Sequence, residues 1–591
     1  MTAMDILTGL AEARARSFSQ PSRHAGMGAV LYDGGVAFRV WAPNALSVAV
    51  AGDFNGWSAE RHPLMPEEGG IWSADVEGAG AGQGYKFVID GPDGLLWRKD
   101  PYGRDVDQSN GNSVVVDPAF DWSGDEAFRA PPWHELVIYE MHIGTFNDTP
   151  GGAPGDLSSA ISRLPHLSEL GVSAIQIMPI GEFPGDHSWG YNPADLFAIE
   201  SAYGGPKSLK AFIKAAHAHS LAVIVDVVHN PLGPSDLDLW QFDGWQQDGK
   251  GGIYFYNDWR SKTPWGDTRP DYGRGEVRQF LRDNALFWLD EFRADGWRLM
   301  QWINDEIDLR FPWKISIAED LQEDPWLTQD VGAGGAGFDS QWAAGFVHPV
   351  RAALITGDDG ARSMGAIRDA ILGRYNDDAL RRVIYTESHD EVANGRARVP
   401  HEIWPGNAGS WFARKRSTLG AVLTFTSPGI PMLFQGQELL EDEWFRDTDP
   451  IEWSRKERFA GVFRLYRDLI RLRRNWWNDS RGLRGQHVSV FHVNDSNKVI
   501  AFHRFDRGGP GDDVVVVLNF ANRAFDAYAI GFPRGGSWRV RLNSDSRHYG
   551  EDYGDHAGYD AMAEASARDG LPFSGSIGLA PYSALVLTQE A

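Results

Sequence analysis

From about residue 135 to 485 the sequence repeats one rhythm eight times: a short apolar run, then an interval long enough for a helix. The runs are "LVIYEMH" (136–142), "SAIQIMP" (173–179), "AVIVDVV" (222–228), "FRADGWR" (292–298), "KISIAED" (314–320), "GFDSQW" (337–342), "RVIYTES" (382–388) and "GIPMLFQ" (429–435). Parallel strands are covered on both faces and need a long return path, so such runs read as strands joined by helical crossovers. Eight of them predict an α/β chain with a (β/α)8 barrel rather than an open doubly wound sheet. The interval 229–275 is longer than the others and predicts an excursion after the third strand.

The flanks have a different period. Residues 30–118 alternate apolar and polar in "VAFRVWAP", "SVAVAGDF", "IWSADV", "YKFVIDG" and "SVVVD", separated by Gly, Pro and Asn turns. This is the pattern of a small antiparallel sandwich. The segment "DWSGDEAFRAPPW" (121–133) reads as a boundary. The last hundred residues alternate again in "VSVFHV", "VIAFHRF", "VVVVLNF" and "YSALVLT". The expected organisation is a helical extension over 1–29, a β-sandwich over 30–130, the barrel over 131–485 and a C-terminal β-sandwich over 486–591.

Composition narrows the partners. A net charge of −25 makes a surface that repels phosphate backbones and anionic head groups, so neither nucleic acid nor a membrane is expected as partner. The absence of Cys removes disulfides, thiolate metal sites and Cys nucleophiles, and fits a reducing cytoplasm. The N-terminal "MTAMDILTGLAEARARSFSQ" reads as a short amphipathic helix without the apolar run of a signal peptide. The 24 Trp, 17 Tyr and 31 Phe supply flat apolar faces with polar edges, which suit the C–H faces of sugar rings.

In a barrel of this kind the chemistry sits where the strands end, because the loops there vary over a fixed core. Those ends carry Asp226, Arg298, Glu319 and the pair His389–Asp390. Carboxylates converging from several strands suit glycoside chemistry, in which one acts as nucleophile or base and another protonates the leaving oxygen. Other chemistries find less support. His217 and His219, two apart on a helix, point to different faces, and "ESHDE" lacks ligands from a second segment. No phosphate-cradling Gly loop opens a helix, and no metal or cofactor is expected.

The chain resembles the α-amylase superfamily, glycoside hydrolase family 13, and within it the branching-enzyme and maltooligosyltrehalose-trehalohydrolase-like members. "FRVWAPNALSVAVAGDFNGW" is similar to their N-terminal glycan module, "VIYEMHIGTF" to the first barrel strand, and "IMPIGEFPGDHSWGYNPADLFAIESAYGG" to the second strand and its loop. "DVVHNP", "ISIAED" and "YTESHDEVANG" look like the first, third and fourth signature regions. The resemblance implies Glu319 as general acid/base and Asp390 as the carboxylate that stabilises the transition state. It implies His389 as a ligand of sugar hydroxyls, Asp226 as an active-site structural carboxylate, and Tyr191, beside Trp189, as the ring that stacks on the sugar. Arg298 is aligned with the Arg of the second region.

The chain also departs from the pattern. Where the first region ends in a second His, this chain has Pro231, and His229 reads as a neighbouring loop residue. The second region should read D-G-x-R-x-D; aligned on Asp295, Gly296 and Arg298, it places Met300 at the nucleophile. A thioether cannot form the covalent glycosyl intermediate. From Met300 to Glu319 is 19 residues, nearly all taken up by the helical pattern "WRLMQWINDEIDLR" and the next strand. The expected cause is a deletion that joins strand four to a later helix, which would make Arg298 a helix residue. An Asp-to-Met replacement, or another nucleophile such as Asp305, are the alternatives. The expected function is 1,4-α-glucan branching by retaining transfer, on an α-glucan or maltooligosaccharide. Hydrolysis of α-1,4-glucan or maltooligosyltrehalose is the nearest alternative, and non-catalytic α-glucan binding is the alternative of another class.

Overall fold

The computed structural model describes residues 20–233, 237–297, 301–319 and 322–590. The expected helix at the extreme N-terminus lies outside them, apart from Gln20. So do Arg298 and Met300, and nothing is described of the Asp305 side chain.

Eight parallel strands close into a barrel: Ile138–Met141, Ala174–Ile177, Ala222–Val225, Gly296–Trp297, Ile315–Ala318, Ser340–Trp342, Arg382–Ile384 and Ile430–Phe434. Each falls within an apolar run of the sequence. Followed from neighbour to neighbour, the pairing climbs two residues at each of four strands, eight in all, before Met432 meets Ile138. A stagger of about eight is what an eight-stranded barrel needs to tilt its strands and fill its interior with side chains. Alternate residues therefore point inward. Ile138, Ala174, Ala222, Ile224, Ile315, Ile317, Trp342, Val383, Ile430 and Met432 pack one interior cluster. Their neighbours Tyr139, Ile175, Val223 and Val225 pack outward in the larger cluster that includes the surrounding helices.

Among the described residues strand four is the shortest of the barrel. Gly296 faces Ile224 on one side and Ile315 on the other. A Cβ on Gly296 would stand 2.5 Å from the Ile315 carbonyl oxygen, so only glycine fits there. The helix Gln301–Arg310 is described from four positions beyond Trp297. The sequence pattern carried that helix back to Trp297, but Gly296 and Trp297 are held in the barrel ladder; residues 298–300 lie outside the described ones.

Below strand four a polar clasp ties the barrel floor. Asp295 accepts from the Val223 amide at 2.9 Å and sits 2.9 Å from His217 Nε2, while His217 Nδ1 lies 2.7 Å from Asp125. Phe128 stacks on the His217 ring at 3.9 Å, and Lys314 Nζ lies 3.5 Å from Asp295. His217 thus has a structural role in the segment 121–133 that leads into the barrel.

The N-terminal sheet is one hydrogen-bonded path that turns over on itself at Pro63–Pro66, which pairs with both Ser47–Gly52 and Ile71–Glu77. Phe38, Tyr85 and Phe87 meet edge to face in its core. The long excursion after strand three carries this module. Asp243 accepts from the Asn44 amide and side chain, both at 2.9 Å, and Arg98 donates to the carbonyls of Gln241 and Phe242 at 3.0 Å. The C-terminal module has a six-stranded sheet against the pair Phe525–Phe532 and Phe573–Leu579. It is anchored by buried Arg504, which donates to Thr426, Leu483 and Gly485, and by the buried pair Lys415–Asp545 at 2.7 Å.

Removing Asp295 takes one partner each from His217, which keeps Asp125, from Lys314, which keeps two backbone carbonyls, and from the buried Val223 amide. Asp295→Ala should destabilise the barrel by about 3 kcal/mol and lower the thermal unfolding midpoint by several degrees. An unchanged melt would show that the clasp contributes nothing.

Candidate functional site

Because the strands are parallel, their C-terminal ends share one face of the barrel. Asp226 follows Val225 at the end of strand three, and Glu319 follows Ala318 at the end of strand five. Both continue the inward alternation, Asp226 after Ala222 and Ile224, Glu319 after Ile315 and Ile317. His389 and Asp390 stand in the loop that leaves strand seven. The expected carboxylates are therefore at one mouth.

The mouth is organised around His389. Glu140, the inward residue of strand one, accepts from the His389 amide at 3.0 Å, and its other oxygen lies 2.7 Å from His389 Nδ1. Both side chains are buried, and Asp390 Oδ1 is 3.7 Å from the remaining ring nitrogen. Burial by itself would lower the imidazole pKa. Glu140, assisted by Glu319 and Asp390, more than reverses this and pushes it up to about 9. His389 is therefore an imidazolium at neutral pH, with Nδ1 committed to Glu140 and Nε2 directed to the Asp390 side. Burial and the fields of Glu319, Glu391, Glu140 and Asp390 push the Tyr385 phenol well above its ordinary range, so these acids surround one buried ring.

Aromatic rings complete the mouth. Tyr191 lies nearly parallel to the His389 ring, 5.0 Å away at 20°, and its hydroxyl donates to Asp226 at 2.9 Å. One face of Tyr191 is thus covered by His389. Trp189 meets His389 edge-on at 6.0 Å and packs against Phe445 at 5.5 Å. Trp342, from strand six, approaches His389 from inside the barrel at 6.0 Å. His142, next to this cluster, is buried and its pKa falls to about 4, so it is neutral; its ring lies 2.9 Å from the Ser188 carbonyl and 3.0 Å from Thr145.

Glu140, Trp342, Phe445 and His142 were not singled out from the sequence. Glu140 had a legible signal, a lone carboxylate at an inward position of an apolar strand; its contact with His389 spans 249 residues and had none. His229 is buried and bonded to Asn284 at 2.8 Å, its pKa lowered by burial to about 4, as befits a loop anchor. On strand four the inward positions after Gly296 would be 298 and 300, which lie outside the described residues. Among the described residues no group of three or more acids or histidines is arranged to hold a metal ion.

The folded pKa of His389 is raised, so its stabilising contribution is full below the ordinary imidazole value of about 6.5 and is lost as pH rises through about 9. Denaturant unfolding of the unsubstituted chain and of Glu140→Gln should differ by about 3 kcal/mol near pH 6 and converge above about pH 9. A difference independent of pH would contradict the charged pair.

Comparison with known proteins agrees with this geometry. Residues 26–103 match carbohydrate-binding module 48 (isoamylase N-terminal domain), 141–237 the α-amylase catalytic domain, and 491–590 the α-amylase C-terminal all-β domain. The chain is 30% identical to a 1,4-α-glucan branching enzyme of Corynebacterium jeikeium, over 88% of this chain and 78% of that one. It is 32% identical to one from Xanthomonas axonopodis pv. citri, over 94% and 82%. Among solved structures it is similar to an α-amylase from Salmonella typhimurium, described there as putative, with a TM-score of 0.73, 23% identity and coverage of 96% and 100%. A pullulanase from Anoxybacillus complexed with maltotetraose gives a TM-score of 0.73 at 22% identity, covering 98% and 89%. With its closed barrel between two β-modules and this similarity along most of its length, the chain belongs to the α-amylase family, glycoside hydrolase family 13.

Proposed function

We propose that the chain binds α-1,4-glucan in the barrel mouth and is built on the plan of a 1,4-α-glucan branching enzyme. What supports this reading is that Asp226, Glu319 and His389–Asp390 follow the C-terminal ends of their strands, with Tyr191 bonded to Asp226 and both Tyr191 and Trp189 packed on His389. Glu319 is the acid that protonates the leaving glycosidic oxygen and later the base that activates the acceptor hydroxyl. Asp390 stabilises the oxocarbenium-like centre, and the imidazolium of His389 donates from Nε2 to a sugar hydroxyl. Asp226 fixes Tyr191 through its hydroxyl, and the Tyr191 ring stacks on the sugar.

The nucleophile side is incomplete. With three residues between strand four and the helix Gln301–Arg310, the chain has no length for the active-site loop that the family pattern puts there. The position of the attacking carboxylate reads Met300. Groups of one catalytic unit are strongly non-additive, so the acid and the electrostatic groups alone sustain little turnover. This favours the second reading, a glucan-binding protein in which transfer is largely lost.

Incubation with amylose, followed by analysis for α-1,6 linkages, reducing ends and trehalose, separates these readings. The expected result is binding of maltoheptaose at millimolar concentration with α-1,6 formation at least about a thousand-fold below that of a chain with a family-like strand end and loop restored between Gly296 and Trp297. Reducing ends without new branches would assign hydrolysis. Robust branching by the unsubstituted chain, abolished by Glu319→Gln, would show that another carboxylate attacks, with Asp305 the first to substitute. No response to maltoheptaose would remove the glucan reading.

A further inference from the structure

The loop that carries Trp189 and Tyr191 stands on two short antiparallel strands, Gly181–Glu182 and Asp195–Ile199, with Glu182 opposite Asp195. Both feet of the loop are gripped by one residue of the N-terminal module. It is Ser109, in the segment between the module strands Gly94–Arg98 and Ser113–Val114. At the outgoing foot the Ser109 hydroxyl lies 2.6 Å from a Glu182 carboxyl oxygen and 2.6 Å from the Phe183 carbonyl oxygen. At the returning foot the Ser109 carbonyl accepts from Lys99 Nζ at 2.5 Å, and the same ammonium pairs with buried Asp195. The Ala194 amide closes the base by donating to the Glu182 carbonyl at 2.6 Å.

The hydroxyl contacts balance only when Glu182 carries a proton. Both are within O–H···O range, but serine has one hydrogen and faces two acceptors. With an ionised Glu182 that hydrogen serves one oxygen, and the other oxygen is left facing a lone pair at 2.6 Å. With a protonated Glu182 the acid donates to Ser109 Oγ, and Ser109 donates to the Phe183 carbonyl. The second Glu182 oxygen accepts from the Ser201 amide at 3.0 Å in either case. The surroundings favour the protonated state. Glu182 is 1% exposed, and burial, followed by the fields of Glu200 and Asp195, pushes its pKa up to about 7 against the bonds from Ser109 and Ser201. Glu200, held by the Ala202 and Phe183 amides at 2.9 and 3.2 Å, faces it from the turn Ser201–Tyr203. Asp195 faces it from the opposite strand, with Lys99, Asp238 and Lys86 acting on Asp195, and Asp186 and Tyr203 beside Glu200.

We propose that Ser109 and Glu182 are positioning residues for the mouth: a proton they share locks the feet of the Trp189–Tyr191 loop to the N-terminal module, and its loss as pH rises loosens the loop and weakens glucan binding. This rests on the reading that the mouth takes α-glucan. The folded-state pKa of Glu182 is raised, so the proton is held below about pH 7 and lost as pH rises through that value. His389, at about 9, keeps its charge over that range.

Maltoheptaose calorimetry on the full chain at about pH 6 and about pH 8 tests this. The unsubstituted chain should bind about five-fold more weakly at the higher pH. Glu182→Gln, whose amide donates to Ser109 at any pH, and Ser109→Ala, which has no hydroxyl to relay, should each bind with the same affinity at both, within about two-fold. Ser109→Thr, which keeps the hydroxyl, should restore the dependence. A merely structural contact would lower the melting midpoint and leave the pH profile as it was. Infrared difference spectra between the unsubstituted chain and Glu182→Gln give a readout free of ligand, a protonated-carboxyl band that fades over the same pH range. A pH profile unaltered in both Glu182→Gln and Ser109→Ala, or the absence of that band, overturns the shared proton while leaving the glucan reading intact. No heat from the unsubstituted chain at either pH removes the glucan reading, and with it this role for Ser109 and Glu182.

Discussion

The site depends on the closure of eight parallel strands with a stagger that turns every second residue inward. That constraint gives Glu140, Asp226 and Glu319 the same inward sense at three different strands, although they are far apart in the chain. The interior below them is packed with Ile, Val, Ala and Trp, so it excludes water and raises the strength of each charge interaction above it. Glu140 is the clearest case. A buried carboxylate is costly alone, and here it is matched by two contacts from a single histidine. The pair defines which imidazole nitrogen is left for other work.

Strand four shows the same constraint from the opposite side. Among the described residues the barrel closes through Gly296 and Trp297, with Gly296 paired to Ile224 and Ile315 and Trp297 to Ser316. Asp295 and Gly296 serve the floor and the wall, and both are intact. The residues that follow Trp297, 298–300, lie outside the described ones.

All eight barrel strands were legible as apolar runs, but their ends were not. "FRADGWR" suggested seven residues, whereas Arg293 and Asp295 belong to the approach and the floor clasp. "RVIYTES" ends its ladder at Ile384 because Thr386 and Glu387 turn to hold neighbouring loops. The strands Phe525–Phe532 and Gly536–Asn543 escaped notice since Gly and exposed polar residues dilute their alternation. At the site, Asp226, Glu319, His389 and Asp390 could be named from their strand ends, and Tyr191 and Trp189 from the resemblance. The grip of Glu140 on His389 and the covering of one Tyr191 face arise from distant segments meeting, which no local pattern records.

The excursion after strand three has a mechanical meaning. Asp243, Gln241, Phe242 and Asp238 fasten the N-terminal module to the barrel through Asn44, Arg98 and Lys99, with the Lys99–Asp195 pair reaching a second loop. The module is thus bolted on rather than tethered by a flexible hinge. A polymer spanning the module and the mouth would meet two points at a set distance and angle, like a work-piece in a jig. Its conformational search would be limited by the stiffness of the polymer and not by that of the protein.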